Sequence, residues 1–164
     1  MATKAKPVPD GFRTVTPYLT VNGAADAIAF YQKAFGAEVK CLVRGPDGKV
    51  AHCELQIGDS MIMMGDEFPM GHCKSPKTLG GATGGLNLYV EDVDALFNRA
   101  VAAGAKVQMP VQDMFWGDRY GKLSDPFGHE WSVATHIEDV SSAEIERRAA
   151  AAFREMSQRA QGAA

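Results

Sequence analysis

The chain has 164 residues, 46% hydrophobic and 23% charged, with a formal net charge of −3; this suits one compact domain or two fused half-size modules and gives no electrostatic case for nucleic acid or an anionic membrane as partner. No apolar run approaches the roughly 20 residues of a membrane span, and residues 1–10 lack the apolar centre of a signal peptide. Cys41, Cys53 and Cys73 are odd in number and match no zinc spacing, so free thiols in a reducing cytoplasm are expected.

Residues 1–13, with two prolines and two lysines and no periodicity, read as a flexible N-terminal arm. A first module is expected over 14–64. It opens with a strand at 14–21, where Val15, Leu19 and Val21 alternate with Thr16, Tyr18 and Thr20. Asn22 is the expected N-cap of a helix over 23–35, with Ile28, Tyr31 and Phe35 at helical spacing and Gly36 as its stop. Strands at 38–44 and 49–57 flank Gly45-Pro46-Asp47-Gly48, a hairpin signal, and Gly58-Asp59 turns the chain into Ser60-Met61-Ile62-Met63-Met64.

Residues 65–83 hold glycines and prolines without periodicity and read as an inter-module linker. A second module is expected over 84–136. Its strand near 85–90 leads to a helix capped by Asp92, carrying Val93, Leu96, Phe97, Ala100 and Val101, and ended by Gly104. Strands follow at 105–111, 118–124 and 129–135, with Asp125-Pro126-Phe127-Gly128 turning between the last two. Residues 137–164 read as a C-terminal helix opened by the Ser141/Glu144 capping box, with Ile145, Phe153 and Met156 its only large apolar residues.

The two modules therefore repeat one pattern, strand–helix–three strands (βαβββ), which predicts an α+β fold. Each module covers only one sheet face with its helix. Pairing the modules would make a curved eight-stranded sheet around a concave cavity; pairing between chains meets the same need, and a homodimer is expected. Strand alternation places Tyr18, Met61, Met63, Asn87, Tyr89, Glu130 and Ser132 on the concave side and Leu86, Leu88 and Val90 under the helix.

Several residues bear chemistry. His52 and Glu54 share one side of their strand and could act as an acid–base pair or as two metal ligands, although a solvated face reads the same way. Trp116 beside Arg119 suits an aromatic or carboxylated small molecule; the plainer alternative is a loop anchor and a surface ion pair with Asp118 or Glu130. His129 and His136 flank the last strand and read as strand-end hydrogen-bonding residues. His72 and Cys73 are too few for a metal site, and the Met61, Met63, Met64 cluster reads as adaptable packing.

Leu19-Thr20-Val21, Ala27-Ile28-Ala29-Phe30-Tyr31, Ala34-Phe35-Gly36 and Asp125-Pro126-Phe127-Gly128-His129 together resemble the vicinal oxygen chelate superfamily, which includes glyoxalase I, extradiol dioxygenases and bleomycin resistance proteins. Phe115-Trp116-Gly117-Asp118-Arg119-Tyr120-Gly121 and Ala134-Thr135-His136-Ile137-Glu138-Asp139-Val140 look most like its PhnB-like branch. The resemblance implies one divalent metal with ligands on the first and last strands of each module. Aligned on the helix and glycine landmarks, those positions hold Thr16, Met63, Gly85 and Ser132, none a competent ligand, with Glu130 the nearest carboxylate.

No metal cofactor is therefore expected. The leading expectation is a glyoxalase/bleomycin-resistance-like protein that binds a small organic molecule through Tyr18, Met63, Asn87, Trp116, Arg119 and Glu130. The alternative is a superfamily enzyme (a lyase, isomerase or dioxygenase-like) with a displaced metal or a metal-free site using His52 and Glu54. A third is a structural dimer whose cavity Met61 and Met63 fill.

Overall fold

The computed structural model describes residues 5–162. Residues 1–4 of the expected arm, residues 163–164, and the side chain of Met156 lie outside what it describes. The first module comprises β1 (Tyr18–Val21), α1 (Ala24–Phe35), β2 (Glu38–Arg44), β3 (Val50–Ile57) and β4 (Ser60–Asp66). A short α2 (Pro76–Leu79) follows, then β5 (Gly85–Tyr89), α3 (Val93–Ala103), β6 (Lys106–Asp113), β7 (Asp118–Ser124), β8 (Glu130–His136) and α4 (Ser142–Gly162).

The eight expected strands form two four-stranded mixed sheets, ordered β1-β4-β3-β2 and β5-β8-β7-β6, rather than one hydrogen-bonded sheet. In each, the first strand runs parallel to the fourth and the remaining pairs are antiparallel. β1 is shorter than its alternation suggests. Pro17 has no N–H to donate, so Thr16 precedes the strand, although the Pro17 carbonyl still accepts from Met63 N at 2.8 Å.

The α1 cap differs from expectation. Gly23, at φ +96°, holds the N-cap position, not Asn22. Its missing side-chain acceptor comes from β4, where Asp66 accepts from the backbone N–H groups of Gly23 (3.0 Å), Ala24 (2.9 Å) and Val50 (2.8 Å). One carboxylate thus satisfies the free donors of a helix start and ties them to β3. The second module meets the same need twice. Asp92 accepts from Ala95 N at 2.9 Å, and Thr135 at the end of β8 accepts from Val93 N at 2.9 Å.

The 65–83 segment is more ordered than its composition implies. β4 runs on to Asp66, and Ser75 caps α2 by accepting from Thr78 N. Glu67 accepts from Ser75 N (2.8 Å) and Thr78 Oγ1 (2.7 Å), and these bonds pull its carboxyl down to about 2.

Both modules share one interior. α1 packs on α3, Phe35 lies 4.6 Å from Trp131 between ring centroids, and Phe30 meets Phe127 edge-on. Burial of each such ring contributes on the order of 2–3 kcal/mol. Tyr31 OH and Trp131 Nε1 both donate to Asp125 Oδ2, and Arg99 Nε donates to the Ala34 carbonyl. The opposite sheet faces stay open, with Tyr18 51% and Tyr89 66% exposed.

α4 begins with Ser141 Oγ accepting from Glu144 N, as the capping box predicts. It is held to the second module by Arg148, which donates to Glu138 and to the Phe115 carbonyl, and by Phe153 against Phe115. No helix among the described residues is long and apolar enough to cross a membrane.

Candidate functional site

On the open face of the first sheet, the register sets Tyr18 beside Met63 and Met63 beside Glu54. The Tyr18 ring stacks on His52 at 6.0 Å, and His52 Nε2 lies 3.4 Å from Glu54 Oε1. Four of the residues singled out from sequence are thus neighbours on one surface. Burial and the adjacent Cys73 raise the Tyr18 phenol above its ordinary range.

On the second sheet Asn87 pairs with Ser132, and Ser132 Oγ lies 2.6 Å from Tyr120 OH. Trp116, in the turn before β7, donates Nε1 to Asp118 at 3.0 Å. Asp118 also accepts from Tyr89 OH at 2.9 Å and faces His136 Nδ1 at 2.8 Å, while being only 4% exposed. Burial alone would raise the Asp118 carboxyl, but the bonds from His136, Tyr89 and Trp116 outweigh it and hold it below its usual range. The same bond to Asp118, with a second to Asp139, raises His136. The sequence offers Asp118 only as a surface partner of Arg119, because an acid between Gly117 and Arg119 looks like a surface turn; its role as a buried acceptor has no local signal.

Arg119 lies on the other side of the strand. Its guanidinium grips Asp94 of α3 at 2.6 and 2.7 Å and Asp113 at 2.9 Å, which raises its pKa further. Neither Asp118 nor Glu130 is its partner. His129 Nε2 lies 3.1 Å from the Thr20 carbonyl, so it bridges the modules.

Four of the six expected ligand residues are spread over three hollows, and Met63 and Arg119 line none of the three. Tyr18 and Glu130 line one of about 420 Å³ together with Thr20, Cys73 and His129. Trp116 lines one of about 480 Å³ with Tyr89, Asp118 and His136. Asn87 lines the largest, a groove of about 670 Å³ where the modules meet. Pro17, Met61 and Ile62 form its first-module wall, and Leu86, Leu88 and Leu96 the other. Arg13, Asn87 and Arg99 are among its polar residues. No local motif encodes this groove, because each wall belongs to a different half of the chain.

The family model of the Glyoxalase/Bleomycin resistance protein/Dioxygenase superfamily matches residues 12–133. The chain belongs to this superfamily. An uncharacterized protein of Mycobacterium tuberculosis is 44% identical over 135 residues, covering 80% of this chain and 79% of that protein. The structure of the Arabidopsis thaliana At5g48480 gene product superposes with a TM-score of 0.62 at 28% identity, covering 75% of this chain and 98% of that one. A PhnB protein of Bacillus cereus, 19% identical, shares the fold with a TM-score of 0.60 over 75% of this chain and 99% of its own.

The positions where the resemblance would set metal ligands hold Thr16, Met63, Gly85 and Ser132. The register pairs Met63 with Tyr18 and Ser132 with Asn87, while Thr16 lies outside β1 and Gly85 faces Glu130. A hydroxyl outside the strand, a thioether, a glycine without a side chain and a hydroxyl already 2.6 Å from Tyr120 OH are poor donors for a divalent ion. Among the described residues no three His, Cys, Asp or Glu side chains are grouped to hold a metal.

Proposed function

We propose that this superfamily member binds a small, largely apolar organic molecule, held in the groove between its modules and without a metal. The observation that carries this reading is the groove itself. Its volume of about 670 Å³ falls in the range of ligand pockets, and apolar walls with a few polar groups are their usual lining. The setting is the cytoplasm, where Cys41, Cys53 and Cys73 stay reduced, consistent with all three being free thiols. The open sheet faces, with Tyr18 and Tyr89 exposed, are covered by a second copy of the chain, and sedimentation of the 17.6 kDa chain at twice that mass tests the dimer.

The test of binding is fluorescence titration with N-phenyl-1-naphthylamine, a neutral apolar probe. Saturable, stoichiometric enhancement is expected, with affinity reduced about tenfold or more in Leu88→Arg, which sets a charge on the groove wall. A wild-type chain that does not bind, or a folded Leu88→Arg that binds equally, would defeat the reading.

One observation favours a second reading. His52, 3.4 Å from Glu54 and stacked on Tyr18, has the form of a base with its orienting acid. On that reading the open face of the first sheet is catalytic, and His52→Ala abolishes turnover while the melting temperature is kept. An unchanged rate removes His52 from any mechanism.

A further inference from the structure

Resting on the binding reading above, we propose that the ligand of the inter-module groove is a hydrophobic carboxylate: an apolar chain or ring with one anionic head, seated against Arg13 and Arg99. Both arginines line the groove, Arg13 just ahead of β1 and Arg99 on α3.

What sets them apart is that they line the groove without a carboxylate partner; Arg44 also lacks one, but it is not among the groove residues. Arg119, Arg147 and Arg148 each hold one or two carboxylates. Neither Arg13 nor Arg99 forms an ion pair among the described residues. Arg13 donates only to its neighbour's carbonyl, Phe12 O. Arg99 spends Nε on the Ala34 carbonyl at 2.8 Å, which fixes its plane and leaves its terminal nitrogens for another acceptor.

Two carboxylates also line the groove, and neither pairs with Arg13 or Arg99. Asp92 caps α3 through Ala95 N, and Asp59 accepts from Ser60 Oγ in the β3–β4 turn. Guanidinium groups with open forks select planar, bidentate acceptors such as carboxylates. The walls of Leu86, Leu88, Leu96, Met61 and Ile62 select the apolar remainder.

The experiment displaces bound N-phenyl-1-naphthylamine with three ten-carbon ligands that differ only in the head: decanoate, decanol and decylamine. Decanoate is expected to displace the probe at about tenfold lower concentration than decanol, with decylamine weakest. Arg13→Gln, which breaks no tertiary bond, should cost decanoate about three- to fivefold and leave decanol unchanged. Adding Arg99→Gln should erase the preference, whereas Arg99→Lys, which keeps the charge but not the fork, should keep only part of it.

Displacement by all three ligands alike, with the probe still bound as described, overturns the carboxylate and spares the binding reading. Failure of the probe itself defeats both. Preference for decylamine, or a decanoate preference untouched by both glutamine variants, overturns the proposal. So does decanoate affinity that falls as protein concentration rises, because a second copy would then be the groove's occupant.

Discussion

Tyr31, on the helix of the first module, donates its hydroxyl to Asp125, in the last turn of the second, at 2.7 Å and with both groups buried. The two residues are 94 positions apart. Asp125 Oδ2 also takes Trp131 Nε1 at 2.9 Å, while Oδ1 accepts from the backbone of Phe127 and His129. A single carboxylate therefore shapes its own turn, fixes the indole of β8 and fastens α1 to the other half of the chain.

Tyr31→Phe should cost about 2 kcal/mol of stability, the scale of a hydrogen bond to a charged group. Urea denaturation should show a lower midpoint with an unchanged slope. Asp125→Asn should cost more, since the amide nitrogen of the new side chain would face donors from Tyr31 or Trp131. A Tyr31→Phe variant as stable as the parent would mean that the bond contributes no net stability.

Asp66→Ala removes the acceptor shared by Gly23, Ala24 and Val50, and a loss of about 2 kcal/mol is expected. Hydrogen exchange should report faster opening of the first turn of α1 together with the start of β3. Exchange that changes in only one of these would break the link between them.

How much of this was legible beforehand follows from how local each device is. Gly36, Gly104, Asp92, Ser141 and the turn at Asp125 act within a few residues, and all sit where the pattern sets them. Period-two alternation likewise put Tyr18 and Met63 on one face. The cap from Asp66, the Glu67 clasp on Ser75 and the grip of Arg119 on Asp94 each span from 8 to 43 positions. No spacing rule reaches that far. The groove is less legible still, because it exists only once two halves have packed.

His136 links stability to pH. Folding raises its pKa above the ordinary 6.5 through Asp118 and Asp139, so its contribution is full below about pH 6. That contribution is lost as pH rises through the raised folded value. Asp118, held low, works in the opposite window: its contribution is present above the ordinary carboxylate range and fades as pH falls through its lowered value. Thermal melts of wild type and His136→Gln should therefore differ more at pH 6 than at pH 9. An equal gap at both values would contradict the bond to Asp118.

Thiol titration offers a check on burial. Cys73 is exposed, Cys41 half-buried and Cys53 buried, with the Cys53 thiol pushed up to about 11 by burial and then by Cys41 and Glu54. A disulfide reagent at pH 8 should label Cys73 first and Cys41 more slowly. Cys53 should react only after unfolding, because the thiolate is the reactive form. Early labelling of Cys53 in the native chain would place β3 nearer the surface.

The shared interior makes covalent continuity between the halves dispensable. A chain nicked between α2 and β5, outside every strand and helix, would still be held by α1 on α3, Phe35 on Trp131 and Tyr31 on Asp125. The fragments should migrate as one particle and melt in one transition. Made separately, each half would expose the apolar surface that the other normally conceals, so the two should find each other and reassemble, with reconstitution set by fragment concentration rather than by the peptide that once joined them.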